Sequence, residues 1–341
     1  MKKTKISMKD IAQIVGVSTA TVSFVINGKG PEKNISKGMI NRVLSAVSRL
    51  GYQPNTLAKN LRQGRSHIIG FLVSDISLPF FSQLASFLES RMADHGYTIL
   101  MISLGKEGRN FQNALKILKG RCVDGYVIAG IPSLKEQLQR LISSNIPVVI
   151  CGQGFADLKA NYVLTDDYNA VRHATLHLIT QGLSKIGFVT SHSNQGGASE
   201  RLDGYLKAVG DHNIIPVIIR LDEGISSMVA TANFYHAIDD LEALIFASYQ
   251  LTEVVLKIAL RDKINIFKTK GIIVFDDFDL LKYLSPPVTA ISQSAENIGQ
   301  SIVDILLREL TGLRADEKTF CRVKVAANLI KRESTKMITG K

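Results

Sequence analysis

Ile11-Ala-Gln-Ile-Val-Gly-Val-Ser-Thr-Ala-Thr-Val-Ser-Phe-Val-Ile-Asn27 is the stretch from which the chain is best read. It divides into two short helices joined at Gly16, a residue that takes the positive-φ turn conformation without a Cβ penalty. Ala12 is small enough to let the helices approach, and Val17, Val22 and Val25 are spaced to face the first helix. Ser18 is a good N-cap for the second. With those positions assigned, Thr19, Ala20, Ser23 and Phe24 are left outward. This is the pattern of a helix-turn-helix whose second helix enters the DNA major groove. The same spacing also occurs in helical hairpins with no such role, so a second line of reasoning is needed.

Charge supplies it. Residues 1–65 hold twelve basic and two acidic side chains, a net +10 against +11 for the whole chain. A basic excess confined to one segment is the footprint of a phosphate-binding module, whereas a generally alkaline protein spreads it. The 341 residues, 45% of them hydrophobic, exceed one ordinary domain and are ample for real cores. Ile6-Ser-Met-Lys-Asp10 follows the basic N-terminus where a secretory signal would have an apolar run, and no stretch approaches a membrane span of about 18 apolar residues. A soluble, cytoplasmic protein without membrane contact is expected. Cys122, Cys151 and Cys321 are odd in number and far apart, so neither a metal nor a cofactor is expected. Two of them lie in apolar strand-like runs, where cysteine serves as a small buried hydrophobe.

Ser36 can cap a third helix carrying Ile40, Val43, Leu44, Val47 and Leu50 on one face, with Gly51 as its stop. Beyond it, Asn55 can cap a helix of about two turns ending near Gly64, short enough to need DNA or a partner chain to form. From His67 onward, apolar runs alternate with amphipathic stretches. Strands are expected at Ile68–Val73, Thr98–Ile102, Gly125–Ala129, Val148–Cys151, Ile186–Thr190, Val217–Leu221, Ala243–Ala247, Ile272–Phe275 and Val288–Ile291. Helices between them include Ser82–Asp94 and Tyr168–Gln181. Continuous apolar strands separated by helices mean parallel sheets covered on both faces. So many units exceed one sheet, and the turn region Tyr162–Asp167 is a natural place to pass to a second.

The chain resembles the lactose-repressor (LacI/GalR) family of bacterial transcription regulators. The resemblance rests on Asp10-Ile-Ala, Val17-Ser18 and Thr21-Val-Ser23 to Asn27-Gly28, then on Gly51-Tyr52 and Pro54-Asn55 to Ala58 and Leu61, and on blocks in the body. It implies an all-α helix-turn-helix headpiece (1–50), a hinge (51–65) and an α/β two-lobed domain like the periplasmic binding proteins (66–335), with two parallel sheets flanked by helices. Lobe 1 is expected at about 66–164 and 294–323, lobe 2 at about 165–293 and 324–335, and a tail at 336–341. Three crossings between lobes follow, with helix Ala295–Leu310 returning to the first. The candidate DNA contacts are Ser18, Thr19, Ala20, Thr21, Ser23, Phe24 and Asn27 in the headpiece and Tyr52, Asn55, Ala58, Leu61 and Arg62 in the hinge. Paired hinge helices would occupy the minor groove, and Leu61 would wedge into a central base step, as apolar wedges do when they kink a duplex.

In that architecture a small molecule sits in the cleft at the carboxyl ends of the strands. Seven residues are expected to contact it. Asp75, Phe80 and Phe81 lie in Asp75-Ile-Ser-Leu-Pro-Phe-Phe81, Arg201 in Glu200-Arg-Leu-Asp-Gly-Tyr205, Asp276 after the strand ending at Phe275, and Gln293 in Ile291-Ser-Gln-Ser294. The seventh, Tyr249, belongs to Tyr249-Gln250, which replaces a frequent Asn-Asp of the family. A carboxylate accepts hydrogen bonds from hydroxyls, an aromatic ring covers the apolar face of a sugar, and a planar guanidinium holds two oxygens. Asp75 could instead only cap a turn, and one of the two phenyl rings could belong to the core. Asp277 is assigned to its turn. Gly152-Gln153 replaces a frequent Asp-Arg, and Leu78 a frequent Asn, which points to a less polar site or to a ligand that is not a simple monosaccharide.

The expected function is a homodimeric, sequence-specific DNA-binding regulator that represses from a pseudo-palindromic double-stranded operator. A sugar or sugar derivative would control it; the alternative is a protein co-repressor with a degenerate cleft. Because the hinge helices are marginal, a differential of about 1 to 3 kcal/mol between lobe arrangements would change operator occupancy. No leucine heptads follow the last matched block, so a dimer is expected in place of a coiled-coil tetramer. An enzyme is not expected, because the sequence has neither a Gly-rich phosphate motif nor a Gly-x-Ser-x-Gly elbow. Phe24 stands where many relatives carry arginine or histidine and offers apolar contact, for instance to a thymine methyl. Phe24→Arg is therefore expected to shift the base preferred at that position in affinity measurements, and an unchanged preference would place Phe24 in the core.

Overall fold

A computed structural model describes residues 6–52, 64–155, 157–192, 197–221, 228–312 and 319–336. The chain divides into two units, Met1–Ser66 and His67–Lys341. In the first, α1 (Met8–Val15), α2 (Thr19–Ile26) and α3 (Lys37–Arg49) begin at the serines the sequence provides. Ser7 and Asp10 form a reciprocal capping box on α1. Ser18 Oγ accepts from the Thr21 amide at 3.0 Å, and Ser36 Oγ from that of Met39 at 3.3 Å. Gly16, at φ 74°, ends α1, and the axes of α1 and α2 bend apart by 106°. Ile11, Ala12, Val15, Val22, Val25, Val43 and Ala46 make the core. The hinge contacts expected at Asn55, Ala58, Leu61 and Arg62 lie outside the described residues.

The second unit contains two six-stranded sheets. The first joins β1 (Ile68–Val73), β2 (Thr98–Ser103), β3 (Gly125–Ala129), β4 (Val148–Gly152), β5 (Asn161–Thr165) and β11 (Arg322–Val325) in the order β11-β5-β4-β3-β1-β2, all parallel. Alternate residues feed two separate cores. Phe71, Val127, Val149 and Val163 pack with α4 (Pro79–Asp94) and α13 (Ala295–Leu310) on one face. Leu72, Tyr126, Ile150 and Leu164 pack with α5 (Phe111–Gly120) and α6 (Lys135–Ile142) on the other. A parallel sheet covered on both faces requires this apolar alternation.

The second sheet joins β6 (Ile186–Thr190), β7 (Val217–Arg220), β8 (Ala243–Phe246), β9 (Gly271–Phe275), β10 (Thr289–Ser292) and β12 (Asn328–Ile330) in the order β12-β10-β9-β8-β6-β7. Only β12 runs antiparallel. Helices α7 (Asp167–Thr180), α8 (Gly197–Asp211), α9 (Met228–Ile238), α10 (Tyr249–Asp262), α11 (Ile266–Thr269) and α12 (Leu280–Tyr283) are interleaved with these strands. The chain passes between the sheets after Thr165, after Ser292 and after Val325.

Three expectations need correction. Tyr162–Asp167 is not a turn: Asn161–Thr165 is a fully buried strand, and the passage is compressed into Asp166, whose carboxylate caps α7. β11 and β12 were not expected as strands. Both are edge strands: β11 alternates exposed Arg322 and Lys324 with Val323 and Val325, and β12 is only three residues long with Ile330 exposed, so neither gives the continuous apolar signal of the central strands. Among the three cysteines only Cys151 is a buried hydrophobe, its thiol pushed up to about 12 by burial. Cys122 is exposed in a turn and Cys321 half-buried. Among the described residues no single helix is long and apolar enough to cross a membrane.

Candidate functional site

On α2, Thr19 and Ala20 are exposed, and Thr21, Ser23 and Phe24 are half-buried. Several of their polar groups are already engaged. The Ser18 and Thr21 hydroxyls lie 2.9 Å apart in the cap, and Asn27 Nδ2 donates to the Ser23 carbonyl at 2.7 Å. Thr19 and Ala20 are the exposed positions of the first turn. Tyr52 packs against the headpiece core, its amide donating to the Val47 carbonyl at 3.1 Å. Lys9, Lys29, Lys33, Lys37, Arg42 and Arg49 are all exposed, against exposed Asp10 and Glu32.

In the second unit a cavity of about 360 Å³ opens between the two sheets at the carboxyl ends of their strands. Of the seven residues expected there, Phe80, Phe81, Arg201, Tyr249, Asp276 and Gln293 line it. The rings of Phe80 and Phe81, 5.4 Å apart, both belong to the wall, and both also pack on the sheet core. Tyr249 meets Phe278 edge-on at 4.7 Å. Asp75 does not line the cavity. It is exposed, and its Oδ1 accepts from both the amide and the hydroxyl of Ser77 at 2.8 Å, so a local turn consumes the carboxylate.

Arg201 is fixed on three sides. Its Nε donates to Asp167 Oδ1 at 3.1 Å, its Nη1 to the Ala247 carbonyl at 2.7 Å, and the guanidinium carbon lies 3.4 Å from the centre of the Phe275 ring. Close approach of α7 and α8 makes the ion pair possible: a Cβ on Gly204 would stand 2.3 Å from the Tyr168 carbonyl oxygen. Asp276, the residue after Phe275, sits in the left-handed region at φ 77°, unusual outside glycine but tolerated by aspartate. Gln293 Nε2 donates to Asp276 Oδ1 at 2.6 Å, and Gln293 Oε1 accepts from Thr165 Oγ1 at 2.5 Å. Thus one amide links two of the passages between sheets. Asp277 belongs elsewhere, held by Arg332 through two bonds of 2.8 and 2.9 Å.

Sequence reasoning missed Asp167, only 3% exposed yet among the lining residues. Its signal was present: a Thr-Asp-Asp run at the end of an apolar stretch and the start of an amphipathic one. Burial pushes its carboxyl up from 3.8 to about 6, against the pull of Arg201; Glu200 and Asp276 add to the rise. The remaining lining combines apolar Leu78, Pro79 and Pro132 with polar Ser74, Gln153, Ser191, Ser248 and Gln250. The site therefore offers carboxylate acceptors, a stationary guanidinium and aromatic walls. Among the described residues no group of three His, Cys, Asp or Glu side chains could hold a metal ion.

Comparison with known proteins agrees with this division. Residues 7–55 match the bacterial regulatory proteins of the lacI family, and residues 66–333 match the periplasmic binding proteins and sugar binding domain of the LacI family. The HTH-type transcriptional repressor PurR of Actinobacillus pleuropneumoniae serotype 3 is 28% identical over 309 residues, 89% of this chain and 91% of the relative. The structure of a Lac repressor dimer bound to operator and the anti-inducer ONPF superposes with a TM-score of 0.80 at 23% identity, covering 97% of this chain and 99% of that one. The complex of the transcriptional regulator CelR with cellobiose gives 0.67 at 22% identity, covering 96% and 99%.

The buried acid gives a pH test. Because the folded-state value of Asp167 lies above that of an unfolded aspartate, its protonated form favours the fold. That contribution is complete below about pH 4 and disappears as pH rises through about 6. Asp167→Asn is expected to remove it. In unfolding titrations the stability difference between wild type and variant should change between pH 4 and 6 and level off outside that window; parallel profiles would contradict the assignment.

Proposed function

The chain belongs to the lacI family of bacterial regulatory proteins, and we propose that it is a homodimeric repressor whose grip on operator DNA is set by a sugar or sugar derivative in the cavity between its sheets. It is a DNA-binding regulator and not an enzyme, in keeping with the repressors among its relatives. Helix α2 reads each half-site through Thr19, Ala20, Ser23 and Phe24, with Ser18, Thr21 and Asn27 shaping the helix ends. Tyr52, Asn55, Ala58, Leu61 and Arg62 contact the operator centre. Protein twofold symmetry is mirrored in the pseudo-palindrome, and both partners meet in the bacterial cytoplasm.

The observation that carries the effector reading is Arg201, pinned by Asp167, Ala247 and Phe275 in a cavity that Asp276 and the rings of Phe80, Phe81 and Tyr249 also line. Hydroxyl-rich rings match such a site, because carboxylates accept from hydroxyls while ring faces stack on the apolar side. The cellobiose complex of a regulator with the same fold is in keeping with it. Unfolding temperatures measured across a panel of neutral mono- and disaccharides test this reading. A fitting sugar at 100 times its Kd adds about 2.7 kcal/mol. Asp276→Asn should weaken that sugar about tenfold while leaving sugar-free operator binding unchanged. A flat panel would overturn the sugar reading and favour a protein co-repressor or an uncommon ligand.

The dimer contact is assigned to the outer face of the second sheet's helices. Leu260 and Tyr283 are 77% and 81% exposed, with Ile264 and Leu280 also exposed. Leu260 and Ile264 line a groove of about 390 Å³ with Leu256, Phe267 and Leu284. Apolar side chains grouped this way mark an interaction surface. Tyr283→Asp is expected to convert a sedimenting dimer to monomer with the fold intact by circular dichroism. A variant that still sediments as a dimer would move the contact elsewhere.

A further inference from the structure

The recognition helix carries no charge. Thr19–Ile26 reads Thr-Ala-Thr-Val-Ser-Phe-Val-Ile, without lysine, arginine or histidine, whereas the commonest specific contact to a base edge is a cation on the O6 and N7 acceptors of guanine. The structure brings a cation to this helix from the turn that follows it. Lys33 Nζ stands 5.5 Å from the centre of the Phe24 ring, within range of a cation–π contact. Lys33 is exposed and Phe24 half-buried on the outward side of α2.

The turn that carries Lys33 is a built feature. Gly28–Asn34 folds back on α2: the Lys29 amide donates to the Phe24 carbonyl at 2.8 Å, and the Ile35 amide to that of Gly30 at 3.0 Å. A short 3₁₀ turn, Pro31–Lys33, ends at Asn34 in the left-handed region. Gly30 anchors it to the headpiece core, buried so tightly that a Cβ there would meet Ile40 Cδ1 at 2.8 Å. Proline at the start and glycine in the core hold the position of Lys33 through backbone and packing, leaving its side chain to lie along the Phe24 ring.

We propose that Lys33, seated on the Phe24 ring, is a base-reading residue that recognises a guanine in each half-site beside the position covered by Phe24. The phenyl ring then has two roles: apolar contact with its own base pair, and a platform that keeps the ammonium at the groove. Lys29, in the same turn but with no aromatic ring beneath it among the described residues, serves as a phosphate contact. The inference rests on α2 being the recognition helix.

The test uses the full-length protein and the operator recovered from random DNA. Fluorescence anisotropy gives affinities for that operator and its single-base variants, for wild type, Lys33→Ala, Lys33→Arg, Phe24→Leu and Lys29→Ala. Wild type should discriminate by about tenfold or more at one G·C pair per half-site. Lys33→Ala should lose that discrimination and keep the others, Lys33→Arg should keep it, and Phe24→Leu should weaken it. Lys29→Ala should lower all affinities alike and flatten the salt dependence. A uniform loss from Lys33→Ala, like that of Lys29→Ala, or no loss at all, would overturn the proposal. If wild type discriminated at no position, the reading of α2 itself would fall, a result distinct from loss of the Lys33 contact alone.

Discussion

The amide of Gln293 ties the two sheets of the second unit together. It donates to Asp276 at the end of β9 and accepts from Thr165 at the end of β5, so one side chain spans the two sheets where the chain passes between them. Partly buried polar groups of this kind are costly to leave unpaired, so any change in how the two sheets sit against each other must conserve these bonds or replace them. The cavity opens beside this junction, and Asp276 and Gln293 are also lining residues. A ligand hydroxyl that bonds to Asp276 therefore bears directly on the contact between lobes. Arg201 contributes the opposite property: with its guanidinium held by Asp167, Ala247 and Phe275, it is a fixed reference in the second lobe.

Much of the fold was legible because its physics is local. Central strands of both sheets are continuous apolar runs, and the expected spans Ile68–Val73, Gly125–Ala129 and Ile186–Thr190 coincide with the observed ones. Headpiece helices start at serines whose hydroxyls cap them and α1 ends at a glycine, signals that need no tertiary context. Edge strands were not legible. Arg322–Val325 and Asn328–Ile330 pair with partners more than 30 residues away; the first alternates with exposed cations and the second is three residues long, so both read as loop.

The site divides along the same line. Arg201, Asp276 and Gln293 were found from their blocks, and Phe80, Phe81 and Tyr249 with them. Asp75 was misplaced because a carboxylate two residues before a serine can bond its own turn, and local hydrogen bonding won. Asp167 was overlooked because its Thr-Asp-Asp run marks only a strand-to-helix junction; its pairing with Arg201, 34 residues further on, depends on the fold. Lys33 was counted as one of many basic side chains; its position over Phe24 depends on a folded turn anchored by Gly30, which composition cannot show.

Charge in the headpiece and polarity in the cavity make one device only if two copies of the chain act on the same DNA as a symmetric pair. Selection of bound sequences from random double-stranded DNA by the full-length protein tests this most directly. The account predicts enrichment of an inverted repeat with two equivalent half-sites, because a twofold dimer presents two copies of α2. Enrichment of a single unrepeated half-site, or of no sequence at all, would contradict it.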